Sequence, residues 1–126
     1  MVQSAKKILI VDDNAVVRDF LQHLCNHYEL PTVCAVNGRE AIDIANQEEF
    51  CAILMDLDMP VMGGIEAARS IRRREKEKNG TRVPILALSG NVLADPRHMC
   101  LEAGMDGFLA KPIEISSLLD FLIPLL

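Results

Sequence analysis

The sequence predicts a doubly wound α/β domain, with a parallel sheet covered by helices on both faces. Apolar runs of strand length recur at Ile8 to Val11, Thr32 to Val36, Cys51 to Met55, Pro84 to Leu88 and Gly107 to Ala110. They are apolar throughout rather than alternating, as strands buried on both faces require. Helix-period segments separate them, and strict alternation of strand and helix is the signature of a parallel sheet. With 126 residues and a 50% hydrophobic composition, residues 1–126 suffice for one domain with a proper core.

After the first strand, Val16, Val17, Phe20, Leu21 and Leu24 set one apolar stripe on the first helix. The second helix runs from about Arg39 to Asn46, with Ala41, Ile42 and Ala45 inward. The third, Gly64 to about Glu77, turns Ile65, Ala68 and Ile71 toward the sheet, and Asn79-Gly80 closes it in a surface turn. Asp95-Pro96 opens the fourth helix as a cap followed by proline, and Gly104 stops it after Ala103. The last helix spans roughly Ile115 to Ile123. Its Leu118, Leu119, Phe121, Leu122, Ile123, Leu125 and Leu126 exceed one apolar stripe, so some face outward. Two readings stand: a frayed end, or a homodimer or partner surface built from the fourth helix, the last strand and the last helix.

Composition removes several classes of function. No apolar run reaches membrane-spanning length, and Lys6 and Lys7 precede only four apolar residues before Asp12, so membrane insertion is not expected and the expected location is the cytoplasm. Cys25, Cys34, Cys51 and Cys100 lack metal-type spacing and read as buried reduced thiols. The net charge of -5 hides a basic stretch in which Arg69, Arg72, Arg73, Arg74, Lys76, Lys78 and Arg82 face only Glu75 and Glu77. Such a run reads as a solvated helix face, and the acidic remainder argues against nucleic acid as a direct partner. No glycine-rich dinucleotide or P-loop motif follows any strand.

The chemistry concentrates at strand ends. Asp12 and Asp13 follow the first strand, Asp56 the third, Ser89 the fourth and Lys111 the fifth, and in such sheets ligands bind beyond the carboxyl ends of the strands. Three carboxylates in one crevice repel one another unless a cation is present. An all-oxygen set without His or thiolate suits magnesium and argues against zinc. Asp56 is the candidate nucleophile, with Lys111 and the Ser89 hydroxyl placed to neutralise phosphoryl oxygens.

The segments Ile8-Leu9-Ile10-Val11-Asp12-Asp13-Asn14, Met55-Asp56-Leu57-Asp58-Met59-Pro60-Val61-Met62-Gly63-Gly64, Leu86-Ala87-Leu88-Ser89-Gly90-Asn91 and Lys111-Pro112-Ile113 together resemble the receiver domain of two-component response regulators. The resemblance covers nearly the whole chain and implies the flavodoxin-like strand order 2-1-3-4-5. It implies that Asp56 accepts a phosphoryl group from phosphohistidine on a histidine kinase or histidine phosphotransfer protein. Mg2+ would be held by Asp12, Asp13, Asp56 and the Asp58 main-chain carbonyl. Ser89 and Phe108 occupy the switch positions, Asp58 and Asn91 those that tune phosphoryl lifetime, and Lys111-Pro112 that of a cis peptide. The implied role is a phosphorylatable switch rather than a turnover enzyme.

Gly63 departs from the commoner Asp, which removes a cap from the third helix and is expected to loosen the loop, and Glu114 is a poor cap for the last helix. Two competing functions are weaker. A dehalogenase-type phosphatase would match Asp56-Leu57-Asp58-Met59, but needs that motif on an early strand; a phosphate-independent module would lack an acid or the lysine. Both a free-standing regulator and a receiver of a hybrid histidine kinase fit, and the Met59 to Gly64 segment with the charged Glu75 to Thr81 insertion is similar to the latter.

Overall fold

The computed structural model describes residues 7–90 and 95–125. Five strands, β1 (Lys7–Val11), β2 (Thr32–Ala35), β3 (Phe50–Asp56), β4 (Ile85–Ser89) and β5 (Gly107–Ala110), form one parallel sheet in the order β2-β1-β3-β4-β5. The helices are α1 (Ala15–His27), α2 (Gly38–Gln47), α3 (Gly64–Lys78), α4 (Arg97–Glu102) and α5 (Ile115–Leu122), the last continued by a 3-10 turn, Ile123–Leu125. The expected fold and strand order are those observed.

The continuous apolar strands serve two cores. Leu9, Val11, Ile53, Met55, Ile85 and Ala87 point to the side covered by α2, α3 and α4, where they meet Ala41, Ala67, Ala68, Ile71 and Cys100. Ile8, Ile10, Ala52, Leu54, Leu86 and Leu88 point to the other side, against Leu21, Cys25, Leu118 and Leu122 of α1 and α5. Successive side chains of a strand alternate between faces, so apolar residues must stand at every position when both faces are covered.

Capping fixes where the helices begin. The Asn14 side chain accepts from the amides of Val16 at 2.8 Å and Val17 at 3.4 Å, and Asn37 accepts from the Glu40 amide at 2.9 Å while Glu40 reaches back to the Val36 amide at 3.0 Å. Asp95 accepts from the Arg97 amide at 3.1 Å, but the capping position of α4 is Pro96, one residue later than expected. Gly104 has φ of 91° just past α4, a left-handed position that ends the helix. Gly63 provides no side-chain cap for α3, as its lack of side chain dictates.

Three expectations need correction. On α1 the buried stripe is Leu21 and Cys25 with Val17 and Leu24 packed beside them, whereas Val16 (76% exposed) and Phe20 (40% exposed) face outward. Two overlapping apolar stripes exist on this helix, and the one containing Cys25 docks. Second, the basic stretch is not simply solvated. Arg72, only 12% exposed, donates to the Gly104 carbonyl, Glu75 and Asp106, each at 2.8 Å. Arg82 joins Gly104 at 3.0 Å and Asp106 at 2.8 Å, while Glu75 and Asp106 accept from the amides of Val83 and Ile85 at 2.8 Å. This clasp ties the end of α3 to the entries of β4 and β5. Third, Cys34 and Cys51 are half-buried rather than buried, although none of the four cysteines forms a disulfide with another described residue.

Candidate functional site

At the carboxyl ends of β1, β3 and β5 the predicted residues converge. Asp12 is fully buried and Asp56 is 3% exposed, while Asp13 lies outside on the rim. Carboxylate oxygens of Asp12, Asp13 and Asp56 all lie within 4.8 Å of one another. Lys111 reaches in from the end of β5, its Nζ 2.8 Å from Asp12 Oδ2 and 3.3 Å from Asp56 Oδ1. The lysine expected to serve a phosphoryl group is thus placed first against Asp12, bridging the two buried acids.

Local backbone geometry sets this arrangement. Asp12 follows β1 directly, with its amide on the Ala35 carbonyl of β2 at 3.1 Å, and its Oδ1 accepts from the Asn14 amide at 2.9 Å. Asp56 ends β3, and its Oδ1 accepts from the Asp58 amide at 3.4 Å, so the following turn folds back toward the carboxylate. Ser89, 2% exposed, ends β4 opposite Ala110, and its carbonyl accepts from the Lys111 amide at 2.7 Å. The Lys111-Pro112 peptide is cis, as expected.

The electrostatics follow from burial. The Asp56 carboxyl is pushed up from 3.8 to about 6, chiefly by burial and then by the charge of Asp12, against the opposing pull of Lys111 and the Asp58 amide. Lys111 is moved upward despite burial, because its hydrogen bond to Asp12 and the charges of Asp56 and Asp12 outweigh desolvation. A pocket with two buried acids, a third on its rim and one lysine retains surplus negative charge. Its oxygen-only donors fit a hard divalent cation that keeps part of its water shell.

The loop after β3 is shaped by close approach rather than looseness. A Cβ on Gly64 would stand 2.3 Å from the Asp56 carbonyl, and one on Gly38 would stand 2.8 Å from that of Met62. Gly64 is buried and donates to the Leu57 carbonyl at 3.1 Å, so the expectation of a loosened Gly-Gly segment gives way to tight packing. Between them Val61, 82% exposed, has φ of 69° and lies under a 2.7 Å bond from the Met62 amide to the Pro60 carbonyl. That is a tight three-residue turn at a β-branched residue, a strained backbone beside the site.

Phe108 lies away from the carboxylates, half-buried on the α4 side with the Arg97 guanidinium 5.5 Å from its ring centroid. Asn91 lies outside the described residues. The sequence reading missed Arg18, whose Nη1 donates to the Asp12 carbonyl at 2.8 Å. A basic residue one helical turn beyond the Asn14 cap was its only signal.

The family model for the response regulator receiver domain matches residues 8–123. The chain belongs to the response regulator receiver domain family. It is a receiver of the two-component and phosphorelay type, with the CheY-like fold. The receiver is 39% identical over 118 residues to hybrid signal transduction histidine kinase A of Dictyostelium discoideum, covering 93% of this chain but 6% of that protein. The chain therefore spans a small part of the length of the curated relative it matches. Among solved structures, it is similar to the receiver domain of sensor histidine kinase PA1611 from Pseudomonas aeruginosa PAO1, solved with a magnesium ion coordinated in its active-site cleft. The identity there is 35%, the TM-score 0.84, and the match covers 96% of this chain and 97% of that one. It is also similar to the receiver domain of the Saccharomyces cerevisiae response regulator Ssk1, solved with the histidine phosphotransfer protein Ypd1. In that case the identity is 30%, the TM-score 0.82, and the coverage 92% and 86%.

Proposed function

We propose that the receiver takes a phosphoryl group onto Asp56 from a phosphohistidine of a histidine kinase or histidine phosphotransfer protein, with Mg2+ bound by Asp12, Asp13, Asp56 and the Asp58 carbonyl. The observation that carries this reading is the convergence of three carboxylates within 4.8 Å at strand ends, with Lys111 between the two buried ones. When bound, the cation offsets the charge of the carboxylates and of the incoming phosphoryl oxygens. Asp56 attacks phosphorus in line with the imidazole leaving group, forming an acyl phosphate as the phosphorus–nitrogen bond breaks. Lys111 shifts its charge from Asp12 toward the phosphoryl oxygens, and the Ser89 hydroxyl donates to another of them. The domain is a switch that carries out only its own phosphorylation and dephosphorylation.

Switching would pass from Ser89 to Phe108 and so to the surface around α4, with Asp58 and Asn91 setting how long the phosphoryl group lasts. Apolar residues left outward on α4, on α5 and on the 3-10 turn after it, Met99, Leu101, Ile115 and Ile123, suit a second copy of the receiver. Val16 and Phe20 on α1 and Val61 after β3 stand exposed beside the site and suit the phosphohistidine partner, whose imidazole must reach Asp56. Cysteines left out of disulfides suit a cytoplasmic setting, and the relatives suit parentage in a hybrid histidine kinase.

The test is transfer from a radiolabelled phosphorylated histidine phosphotransfer protein to the receiver with Mg2+. Label is expected to leave the histidine for the receiver, and to stay where Asp56→Asn replaces it. Equal transfer to the Asn variant refutes the assignment.

A further inference from the structure

We infer that Arg18 is a positioning residue that aims Asp13 at the divalent cation; this rests on the magnesium reading above. Asp12 and Asp13 are held very differently. The Asp12 carboxylate is fixed twice, by Lys111 Nζ at 2.8 Å and by the Asn14 amide at 2.9 Å. Among the described residues, no hydrogen bond or ion pair engages the Asp13 carboxylate. Yet its oxygen stands within 4.8 Å of those of Asp12 and Asp56. Something other than its own side-chain bonds must fix its direction.

The Asp12 carbonyl and the Asp13 amide belong to one planar peptide unit, so fixing that carbonyl fixes the plane from which the Asp13 side chain departs. Arg18 does this. It sits on the first turns of α1, is half-buried, and its Nη1 donates to the Asp12 carbonyl at 2.8 Å. Its own base is rigid, because the Arg18 amide bonds the Asn14 carbonyl at 3.1 Å while the Asn14 side chain caps the same turn. The chain thus runs from strand end to turn, to helix start and back to the strand end as one closed ring. The guanidinium is also a cation held against the edge of an acidic pocket, which favours three carboxylates gathering there.

An outer residue that orients a metal-binding side chain changes affinity for the metal, and losses on removal are typically 10–100-fold. Arg18→Met keeps the apolar stem and removes the donor, and we expect it to weaken Mg2+ binding about tenfold by calorimetry, at the low end of that range because Asp12 stays fixed. Asp13→Asn weakens binding by itself, and adding Arg18→Met to it should change the affinity little, since Arg18 acts through Asp13. Arg18→Lys, which keeps one donor, is expected to lose less than Met and to be masked by Asp13→Asn in the same way; it serves also if the Met variant proves too unstable to titrate.

A merely structural role would lower the melting temperature of the metal-free protein and leave the Mg2+ affinity of the folded fraction unchanged; that result overturns the proposal. So does full additivity with Asp13→Asn. If the unaltered protein binds no Mg2+, the functional reading itself fails, and this inference falls with it.

Discussion

Asp56→Asn should make the metal-free protein more stable at pH 8, even though it removes the proposed phosphoacceptor. Asp56 is buried beside Asp12, and its carboxyl is raised from 3.8 to about 6 in the folded protein. The folded state therefore holds its proton more tightly than the unfolded chain. By linkage, stability conferred by this group is present at low pH and falls as pH rises from about 4 through about 6. The full displacement corresponds to about 3 kcal/mol above pH 7. Asn is a neutral near-isostere that removes this charge, but its amide then faces Lys111, 3.3 Å from Oδ1, and returns part of the gain. A net stabilisation of about 1.5 kcal/mol follows, or a rise of roughly 5 °C in Tm. Urea titration with a chelator present, at pH 8 and at pH 4, reads it directly. The gain should vanish at pH 4, where wild-type Asp56 is protonated. Saturating Mg2+ should stabilise the wild type and not the variant. An Asn variant no more stable than wild type at pH 8, or a gain that persists unchanged at pH 4, would refute the reasoning.

Other perturbations separate the remaining claims. Arg72→Ala removes three charge-assisted bonds from a side chain 12% exposed and should destabilise by about 3 kcal/mol in urea, against less than 1 kcal/mol for an ordinary surface pair. Gly64→Ala should lower both stability and Mg2+ affinity, because its Cβ would enter the space of the Asp56 carbonyl, 2.3 Å away; unchanged thermal melting and affinity would show that the loop yields. Val61→Gly should raise stability by about 1 kcal/mol by relieving a positive φ at a β-branched residue, read by thermal melting. The raised Lys111 ammonium implies that its contribution persists up to its ordinary value of 10.5 and is lost as pH rises beyond that, so Lys111→Met should flatten the alkaline arm of the stability profile.

The features legible in the sequence were those set by local pattern. Strand-length apolar runs named every strand, because a doubly covered parallel sheet confines polar residues to the strand ends. Asp12, Asp13, Asp56, Ser89 and Lys111 were legible because each ends such a run. What escaped depends on partners far along the chain. Arg72 looked like one member of a solvated basic face, and only the fold brings it to Asp106, which stands 34 residues away. Val16 and Phe20 shared an apolar stripe with Leu21 and Leu24, and local periodicity does not fix which edge of a broad stripe turns inward. Gly63-Gly64 suggested freedom, whereas the space beside the Asp56 carbonyl demands a residue without a side chain. Arg18 was missed because its partner is a main-chain carbonyl, which no residue type announces.

Asp56 is proposed here as the phosphoacceptor of a cation-dependent site. Intact mass analysis with peptide mapping, after exposure to a small phosphoramidate donor with and without Mg2+, tests it most directly. A single phosphoryl group is expected on the peptide containing Asp56, formed only with Mg2+ and lost at alkaline pH as an acyl phosphate. Labelling on another residue, or on Asp56 equally without Mg2+, would contradict it.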